Sequence, residues 1–165
     1  MRVLLQVTAS LLSLVAVAAA ADQGLLTERN LSSTLAVEIA RGAVQACLER
    51  GYRVTAAVVD RSAQLQALIR ADGAGPHTIE SSQRKAFTAA SLRSGTTALD
   101  EMVRGNAAAT GLRDVPGFLI LGGGVVIRAG DQVVGAVGVG GAPGGHLDDQ
   151  CAQAGIDKVK ERLVP

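Results

Sequence analysis

The sequence predicts an α+β domain in which a five-stranded antiparallel sheet is flanked by helices, in the order α-β-β-α-α-β-β-β-α. Two observations lead to this fold class. Amphipathic segments long enough for helices stand near both ends of the chain, and apolar segments rich in Val and Ala stand between them, several joined by very short turns. Because such short turns connect antiparallel strands, we expect hairpins rather than parallel crossovers.

Composition places the chain among single-domain globular proteins. It has 165 residues, a formal net charge of +1, 48% hydrophobic residues and 19% charged residues, which is the balance of a folded domain rather than of a disordered one. The near-neutral charge and an aromatic content of 2% argue against nucleic-acid binding, which relies on basic surfaces and stacking platforms.

Residues 1–21 have the three-part pattern of a secretory signal peptide. Arg2 precedes an apolar run, and three alanines, Ala19, Ala20 and Ala21, form an A-x-A-like cleavage site. The alternative is a membrane anchor, but the run is short for a bilayer span of about 20 residues. We therefore expect a periplasmic or secreted protein, without a stable membrane anchor after cleavage, whose single domain occupies residues 22–165.

The first half of the domain predicts a helix followed by a hairpin. Apolar residues recur every four positions over residues 34–50, which is the pattern of an amphipathic helix, and Gly51 is well suited to end it. Residues 53–60 (RVTAAVVD) are continuously apolar at their centre, whereas residues 64–70 (QLQALIR) alternate. These two segments predict a buried strand and a half-exposed strand joined by a tight turn.

The second half predicts two helices, three strands and a closing helix. Helices are expected over residues 78–93, 96–103 and 146–163, and residues 106–117 have no clear periodicity. The predicted strands cover residues 118–121, 125–128 and 132–139. One face of the last strand carries only small side chains and allows a helix to approach closely; its residues are Val134, Ala136 and Gly138.

Two cysteines fall on the apolar stripes of the first and last helices. If these helices lie side by side on one face of the sheet, Cys47 and Cys151 can form a disulfide in an oxidising compartment. The alternative is a pair of buried free thiols, and the sequence leaves both open.

Five separated segments resemble the GlcG/HbpS haem-binding family, which is also found at the C-terminal end of PduO-type proteins. They are residues 58–65 (VVDRSAQL), 70–74 (RADGA), 85–89 (KAFTA), 135–141 (GAVGVGG) and 149–156 (DQCAQAGI). The resemblance implies a profilin-like fold and a homo-oligomer. One departure is that many relatives have a PGGLP run where this chain has LGGGV, which places the shape of that loop in question.

The resemblance further implies an exported haem-binding or haem-uptake accessory protein that is not a catalyst. The alternative is a binding or accessory subunit for a small molecule, such as a hydroxy acid or a corrinoid-related compound. A glycine-rich loop over residues 140–145 precedes a helix N-terminus, where a small carboxylate could bind. The sequence has no C-x-x-C-H, H-E-x-x-H or G-x-S-x-G motif, so we predict neither a metal site nor catalytic residues.

Five residues are candidates for a haem site. His77 and His146 stand at loop-to-helix junctions, and Met102 offers a thioether; imidazoles and thioethers are common axial ligands of haem iron. Arg84 and Lys85 could bind the propionates. Each also has an ordinary structural interpretation: the histidines as surface residues near helix ends, Met102 as core filler, and the two cations as part of a solvated helix face.

Overall fold

The computed structural model describes residue 24 and residues 26–164. The predicted signal peptide, residues 1–21, lies outside the described residues. Within the described part of the chain, no helix is both long and apolar enough to cross a membrane.

Four α-helices and four strands are present in the described part of the chain. The helices are α1 (Ser33–Leu48), α2 (His77–Leu92), α3 (Thr96–Gly105) and α4 (Gly145–Asp157), and the strands are β1 (Thr55–Asp60), β2 (Leu65–Arg70), β3 (Gly124–Ala129) and β4 (Gln132–Gly140). Short 3-10 helices cover Ala107–Asp114 and Lys160–Arg162. The closing helix therefore ends before residue 163, where the sequence predicted its end, and a 3-10 turn completes the segment.

The sheet has the order β2-β1-β4-β3, and every neighbouring pair is antiparallel. The α+β class and the antiparallel sheet are confirmed, but the predicted five strands are four. The two hairpins, β1–β2 and β3–β4, meet along β1 and β4, where Thr55 pairs with Gly140 and Asp60 pairs with Gly135.

The prediction of a strand over residues 118–121 is wrong. Side chains of α2, rather than a neighbouring strand, satisfy this backbone: Arg84 donates to the Phe118 carbonyl (2.7 Å), and the Leu119 amide donates to the Thr88 hydroxyl (2.8 Å). The apolar character of the segment comes from Ile120, which packs with α3 in a small separate cluster. Sequence periodicity could not distinguish this buried connection from a short strand.

The sheet separates two layers of helices. Helices α1 and α4 pack side by side on one face, over the larger core, and α2 packs on the other face against β4 and β1. Gly138 permits the close approach of α2, because a Cβ atom there would lie 2.0 Å from the Ser82 carbonyl oxygen. The predicted small face of the last strand therefore packs against a helix, and α2 runs antiparallel to β4.

The alternation of side chains along a strand assigns Val134 to the wrong face of β4. Val134 belongs to the core on the α1 side, although the sequence groups it with Ala136 and Gly138. The register explains the difference, because Ile127 pairs with Gly135 whereas the next residue, Arg128, pairs with Val133. Val134 is the extra residue of a β-bulge, which reverses the side of the sheet that it faces.

A disulfide joins the two helices of the larger core. Cys47 of α1 and Cys151 of α4 are bonded, with a Cα–Cα distance of 5.5 Å, and both are completely buried. Close contact between the helices depends on glycine: a Cβ atom at Gly155 would lie 2.4 Å from the Ile39 carbonyl oxygen. The structure thus resolves the two alternatives in favour of the bridge.

Candidate functional site

The two sides of α2 differ in character, and the candidate site follows its outer side. The side facing the sheet is buried and includes Ser82, Lys85 and Ala89. The outer side carries His77 and Arg84, which are seven residues apart. With 3.6 residues per turn and a rise of 1.5 Å per residue, they share one face about 10 Å apart along the helix axis.

Arg84 stands at an apolar groove, which we call the α2 groove. It has a volume of about 250 Å³ and lies between α2 and the β1–β2 turn. Its lining is mainly apolar: Val59, Ala63, Leu65, Gln83, Arg84, Phe87 and Gly117. The Phe87 ring also contacts Phe118, with ring centroids 6.0 Å apart. An apolar groove with a guanidinium at one side suits a flat apolar molecule that carries a carboxylate.

The guanidinium of Arg84 is positioned by the backbone of the neighbouring connection. Its Nη2 donates to the Phe118 carbonyl at 2.7 Å, and its Nη1 lies 3.6 Å from a carboxylate oxygen of Glu80. The Glu80 side chain is 76% exposed and that of Arg84 is 40% exposed, so this ion pair is open to water and to a competing anion. Arg84 therefore combines a fixed orientation with an accessible charge.

His77 is the first residue of α2, and its imidazole folds over Gly75. A Cβ atom at Gly75 would lie 2.6 Å from the imidazole Cε1, so the missing side chain makes room for the ring. His77 is exposed, whereas its neighbour Thr78 is buried and shares a 2.7 Å hydrogen bond with Thr55 of β1. This bond ties the start of α2 to the sheet and leaves the imidazole at the surface.

Lys85, which the sequence grouped with Arg84 as a propionate contact, points toward the opposite side of α2. Its ammonium donates to the Asp148 carboxylate (2.9 Å) and to the Val139 carbonyl (2.9 Å). The side chains of Lys85 and Asp148 are only 3% and 4% exposed. Burial raises the pKa of the Asp148 carboxyl above its ordinary value, against the opposing effect of the Lys85 charge.

Asp148 and its neighbour Asp149 hold the two glycine-rich loops together. Asp148 also accepts from the Ala142 amide at 3.0 Å, and Asp149 accepts from the Gly123 amide at 2.7 Å. The backbone of Gly145 packs directly on Gly122. The N-terminal region of α4 is thus occupied by the chain's own carboxylates and backbone, which disfavours the small-carboxylate site expected in the loop over residues 140–145.

The two remaining candidates lie on other helices. Met102 is on α3 with 42% of its surface exposed. The alternative interpretation of Met102 as a residue that fills the core is therefore wrong. His146 is exposed in the first turn of α4, and its imidazole folds over Gly144. The structure therefore brings His77 and Arg84 onto one face and leaves Met102 and His146 on separate elements.

Sequence reasoning missed two features of this region. The partnership of Lys85 with Asp148 spans 63 positions, and no local pattern signals it. The groove wall formed by Ala63 and Leu65 depends on the hairpin folding back toward Phe87, which strand alternation alone does not indicate. Among the described residues, no three or more His, Cys, Asp or Glu side chains are grouped to hold a metal ion.

Comparison with known proteins identifies the family of this chain. Residues 31–157 match the family described as haem degrading protein HbpS-like. The chain belongs to the HbpS-like family. Its curated relatives include protein GlcG of Escherichia coli K12, with 36% identity over 109 residues that cover 66% of this chain and 80% of GlcG. An uncharacterized 15.0 kDa protein of Citrobacter freundii is 32% identical over 108 residues, which cover 64% of this chain and 76% of that protein.

Solved structures of other proteins have the same fold. The crystal structure of HbpS superposes with a TM-score of 0.77 and 41% identity, covering 82% of this chain and 94% of HbpS. A PduOC–haem complex superposes with a TM-score of 0.72 and 25% identity, covering 78% of this chain and 94% of that protein. The sequence-based assignment to the GlcG/HbpS-like family is therefore confirmed.

Proposed function

We propose that this protein binds haem non-covalently, along the outer face of α2. Membership of the HbpS-like family and the likeness to a PduOC–haem complex support the ligand class. The observation that carries the proposal is that His77 and Arg84 lie on one face of α2 and that Arg84 also lines the α2 groove. These supply an axial nitrogen ligand, a propionate partner and an apolar surface, which are the elements that a haem site needs.

The side chains on this face suit haem, but the α2 groove is too small to enclose the whole macrocycle. A neutral imidazole at His77 would hold the iron, Arg84 would exchange Glu80 for a propionate, and Phe87 would contact the ring. When bound, haem would supply iron redox and ligand chemistry at the exposed His77 end of α2. The groove volume of about 250 Å³ is below the range of about 300–1,000 Å³ typical of enclosing ligand pockets, so one subunit would cover only part of the macrocycle.

We therefore propose a homo-oligomer in which a second copy covers the remaining haem surface. Size-exclusion chromatography with light scattering, with and without haemin, tests this. An oligomer in either sample supports the proposal, and a monomer in both contradicts it.

The decisive experiment is titration of the purified mature protein with haemin, followed through the Soret band. We expect binding by the wild type, loss of the ligated Soret spectrum in His77→Ala, and roughly ten-fold weaker binding in Arg84→Ala, because a charge-assisted hydrogen bond is lost. His146→Ala and Met102→Ala test the other candidate ligands and should bind as the wild type does. Loss of the Soret shift in either of them, with retention in His77→Ala, would contradict the proposed site.

We propose that this binding is not accompanied by turnover. The family description, haem degrading protein HbpS-like, makes degradation the competing function. The haem complex should be exposed to ascorbate in air, with an equal concentration of haem bound to serum albumin as the control. A Soret band that decays no faster than in the albumin control supports a binding role, and faster decay assigns degradation.

We further propose export to an oxidising compartment. The signal-like residues 1–21 and the Cys47–Cys151 bridge both support it. Fractionation of cells that express the full chain should locate a product beginning at Asp22 in the periplasm or medium, whereas a chain lacking residues 2–21 stays inside. A full-length, uncleaved product in the cytoplasm would overturn the proposal.

The likeness to GlcG keeps a hydroxy-acid accessory role as the second candidate. The accessible guanidinium of Arg84 favours it, since a small carboxylate could pair there as well as a propionate. Thermal-shift measurements with glycolate and with haemin separate the two functions. Stabilisation by glycolate and not by haemin would assign the accessory role.

A further inference from the structure

The outer side of α1 and α4, across the sheet from the α2 groove, carries a second concave surface. Three cavities of about 360, 400 and 230 Å³ follow one another along it. Glu38 and Arg41 line both the first and the second cavity. Gly42, Gln45 and Lys158 line both the second and the third. Because neighbouring cavities share their lining, they form one continuous depression, which we call the α1–α4 groove.

The groove is long because it follows the whole of α1. Its lining begins at Ser33, the first residue of the helix, and continues to Arg50, just beyond the end of the helix. The 16 residues of α1 span about 24 Å at 1.5 Å per residue, which is the length of about seven residues of extended peptide. An open depression of this length suits a chain-like ligand, whereas a small molecule is normally enclosed by its pocket.

Small residues form the floor of the groove where the two helices touch. A Cβ atom at Gly42 would lie 3.1 Å from the Gly155 Cα atom and 3.0 Å from Cγ of Lys158, so the backbones of α1 and α4 approach closely there. Ala46 of α1 and Ala154 of α4 continue the floor in the third cavity, and both are half-buried. The long side chains of the lining therefore surround a floor without bulky groups.

Three cations of the lining are available to a ligand. Arg41, Arg50 and Lys158 are exposed, and none of them forms an ion pair in the part of the chain that the structure describes. Arg50 donates a hydrogen bond to the uncharged Gln150 side chain. These side chains therefore keep their full charge for an anionic partner.

The acidic residues of the lining do not offset this charge. Glu38 is already neutralised by Arg162, whose guanidinium donates to both of its carboxylate oxygens. Glu49 accepts a hydrogen bond from the Gln45 amide at 3.1 Å and is the one acid of the three cavity linings without a cationic partner among residues 26–164. An occupant with complementary charge is therefore acidic.

We propose that the α1–α4 groove is a docking surface for an acidic segment of a partner protein, bound as an extended chain. Every cavity contains an unpaired cation, since Arg41 lines the first two, Lys158 the last two and Arg50 the third. Carboxylates spaced along a segment can thus each meet a positive charge. Val37, which is 39% exposed in the first cavity, adds an apolar contact at one end. A flat bilayer does not reach the floor of a concave surface, which disfavours a membrane as the occupant.

The test measures binding of a fluorescein-labelled peptide of seven glutamates by fluorescence anisotropy, with a peptide of seven glutamines as the neutral control. The variant Arg41→Gln/Lys158→Gln removes two cations of the groove and keeps the Lys158 stem length at Cγ, which packs on Gly42. The matched control Arg53→Gln/Arg93→Gln removes two other exposed cations, which line none of the three cavities. Both variants change the net charge by the same amount.

We expect the wild type to bind the glutamate peptide and not the glutamine peptide. The groove variant should bind it roughly ten-fold more weakly, the combined effect of two exposed charge contacts, and the control variant should bind as the wild type does. Absence of binding by the wild type would overturn the proposal. An equal loss in both variants would also overturn it, because the peptide would then respond to net charge alone.

Two further measurements separate docking from its alternatives. Co-sedimentation of the wild type with phosphatidylglycerol vesicles, without binding of the glutamate peptide, would assign the surface to a membrane and overturn the proposal. If the circular dichroism of the groove variant shows misfolding, Gln45→Glu replaces it, since this change adds a carboxylate to an exposed position of the groove. Weaker binding of the glutamate peptide by Gln45→Glu supports the proposal, and unchanged binding contradicts it. Neither result depends on haem binding, because the α2 groove lies on the other face of the sheet.

Discussion

Arg84 and Lys85 are adjacent in the sequence and carry the same charge, yet the fold gives them opposite environments. Arg84 is on the outer face of α2 beside an open groove, with a water-exposed ion pair to Glu80. Lys85 is buried against the sheet, where it joins α2 to α4 through Asp148. Successive residues of a helix point about 100° apart. A shift of one residue along α2 is therefore enough to move a cation from the exposed face to the buried face.

The comparison shows that the same charge has different roles on the two faces of one helix. A buried charge costs desolvation energy and must remain paired, so it couples the elements that hold its partner. An exposed charge contributes little to stability and remains available to a ligand. The following measurements test this contrast, from the largest expected effect to the smallest.

Lys85→Met should destabilise the protein by about 3–5 kcal/mol, because it leaves the Asp148 carboxylate buried without its counter-charge. Urea denaturation at neutral pH measures the free energy of unfolding. The double variant Lys85→Met/Asp148→Asn removes both charges and keeps an acceptor for the Ala142 amide, and it should recover much of the loss. A double variant no more stable than the single one would contradict the ion-pair explanation.

The opposite face of the sheet is held covalently. Removing the bridge in Cys47→Ala/Cys151→Ala should cost about 3 kcal/mol, because the unfolded chain regains the freedom of a long closed loop. Denaturation midpoints of wild type and variant in the absence of reductant give the difference. Reductant should lower the midpoint of the wild type and leave that of the variant unchanged. An equal midpoint in the two proteins would show that the bond does not stabilise the fold.

Lowering the pH should change the stability contributions of Asp148, in the buried pair with Lys85, and of Asp100, in its pairs with Arg104 and Arg113, in opposite directions. The pKa of Asp148 is raised by burial, so its contribution to stability is present below its ordinary pKa and is lost as the pH rises through the higher folded-state value. The pKa of Asp100, which pairs with Arg104 and Arg113, is lowered, so its contribution is lost as the pH falls.

We therefore expect the difference in unfolding free energy, wild type minus Asp148→Asn, to increase as the pH is lowered from about 6 toward 4. The same difference for Asp100→Asn should decrease toward lower pH. Urea denaturation at several pH values measures both curves, and parallel slopes for the two variants would contradict the assigned environments.

Arg84→Met should be the mildest change. Its ion pair with Glu80 is largely exposed and adds little, but the variant also loses the hydrogen bond to the Phe118 carbonyl. We expect a stability loss of about 1–2 kcal/mol, together with weaker haemin binding. A loss comparable to that of Lys85→Met would show that Arg84 is a structural residue, and the contrast between the two faces would fail.

Several features of the protein were predictable from local patterns. The helices, the β1–β2 hairpin and the small face of β4 follow from spacings of two to four residues, and separated motifs identify the HbpS-like family. The failures have a common origin. Residues 118–121 and Val134 were misassigned because the partner of a backbone group and the position of a bulge depend on neighbours distant in sequence.

The sequence by itself determined the class of the fold, the family and the chemical types available for haem binding. The tertiary structure alone decided which of those residues share a surface. It paired Cys47 with Cys151, buried Lys85 on Asp148 and left His77 with Arg84 at the outside of α2. The physical reason is that periodicity records which face of an element is apolar, whereas burial and pairing depend on what packs against that face.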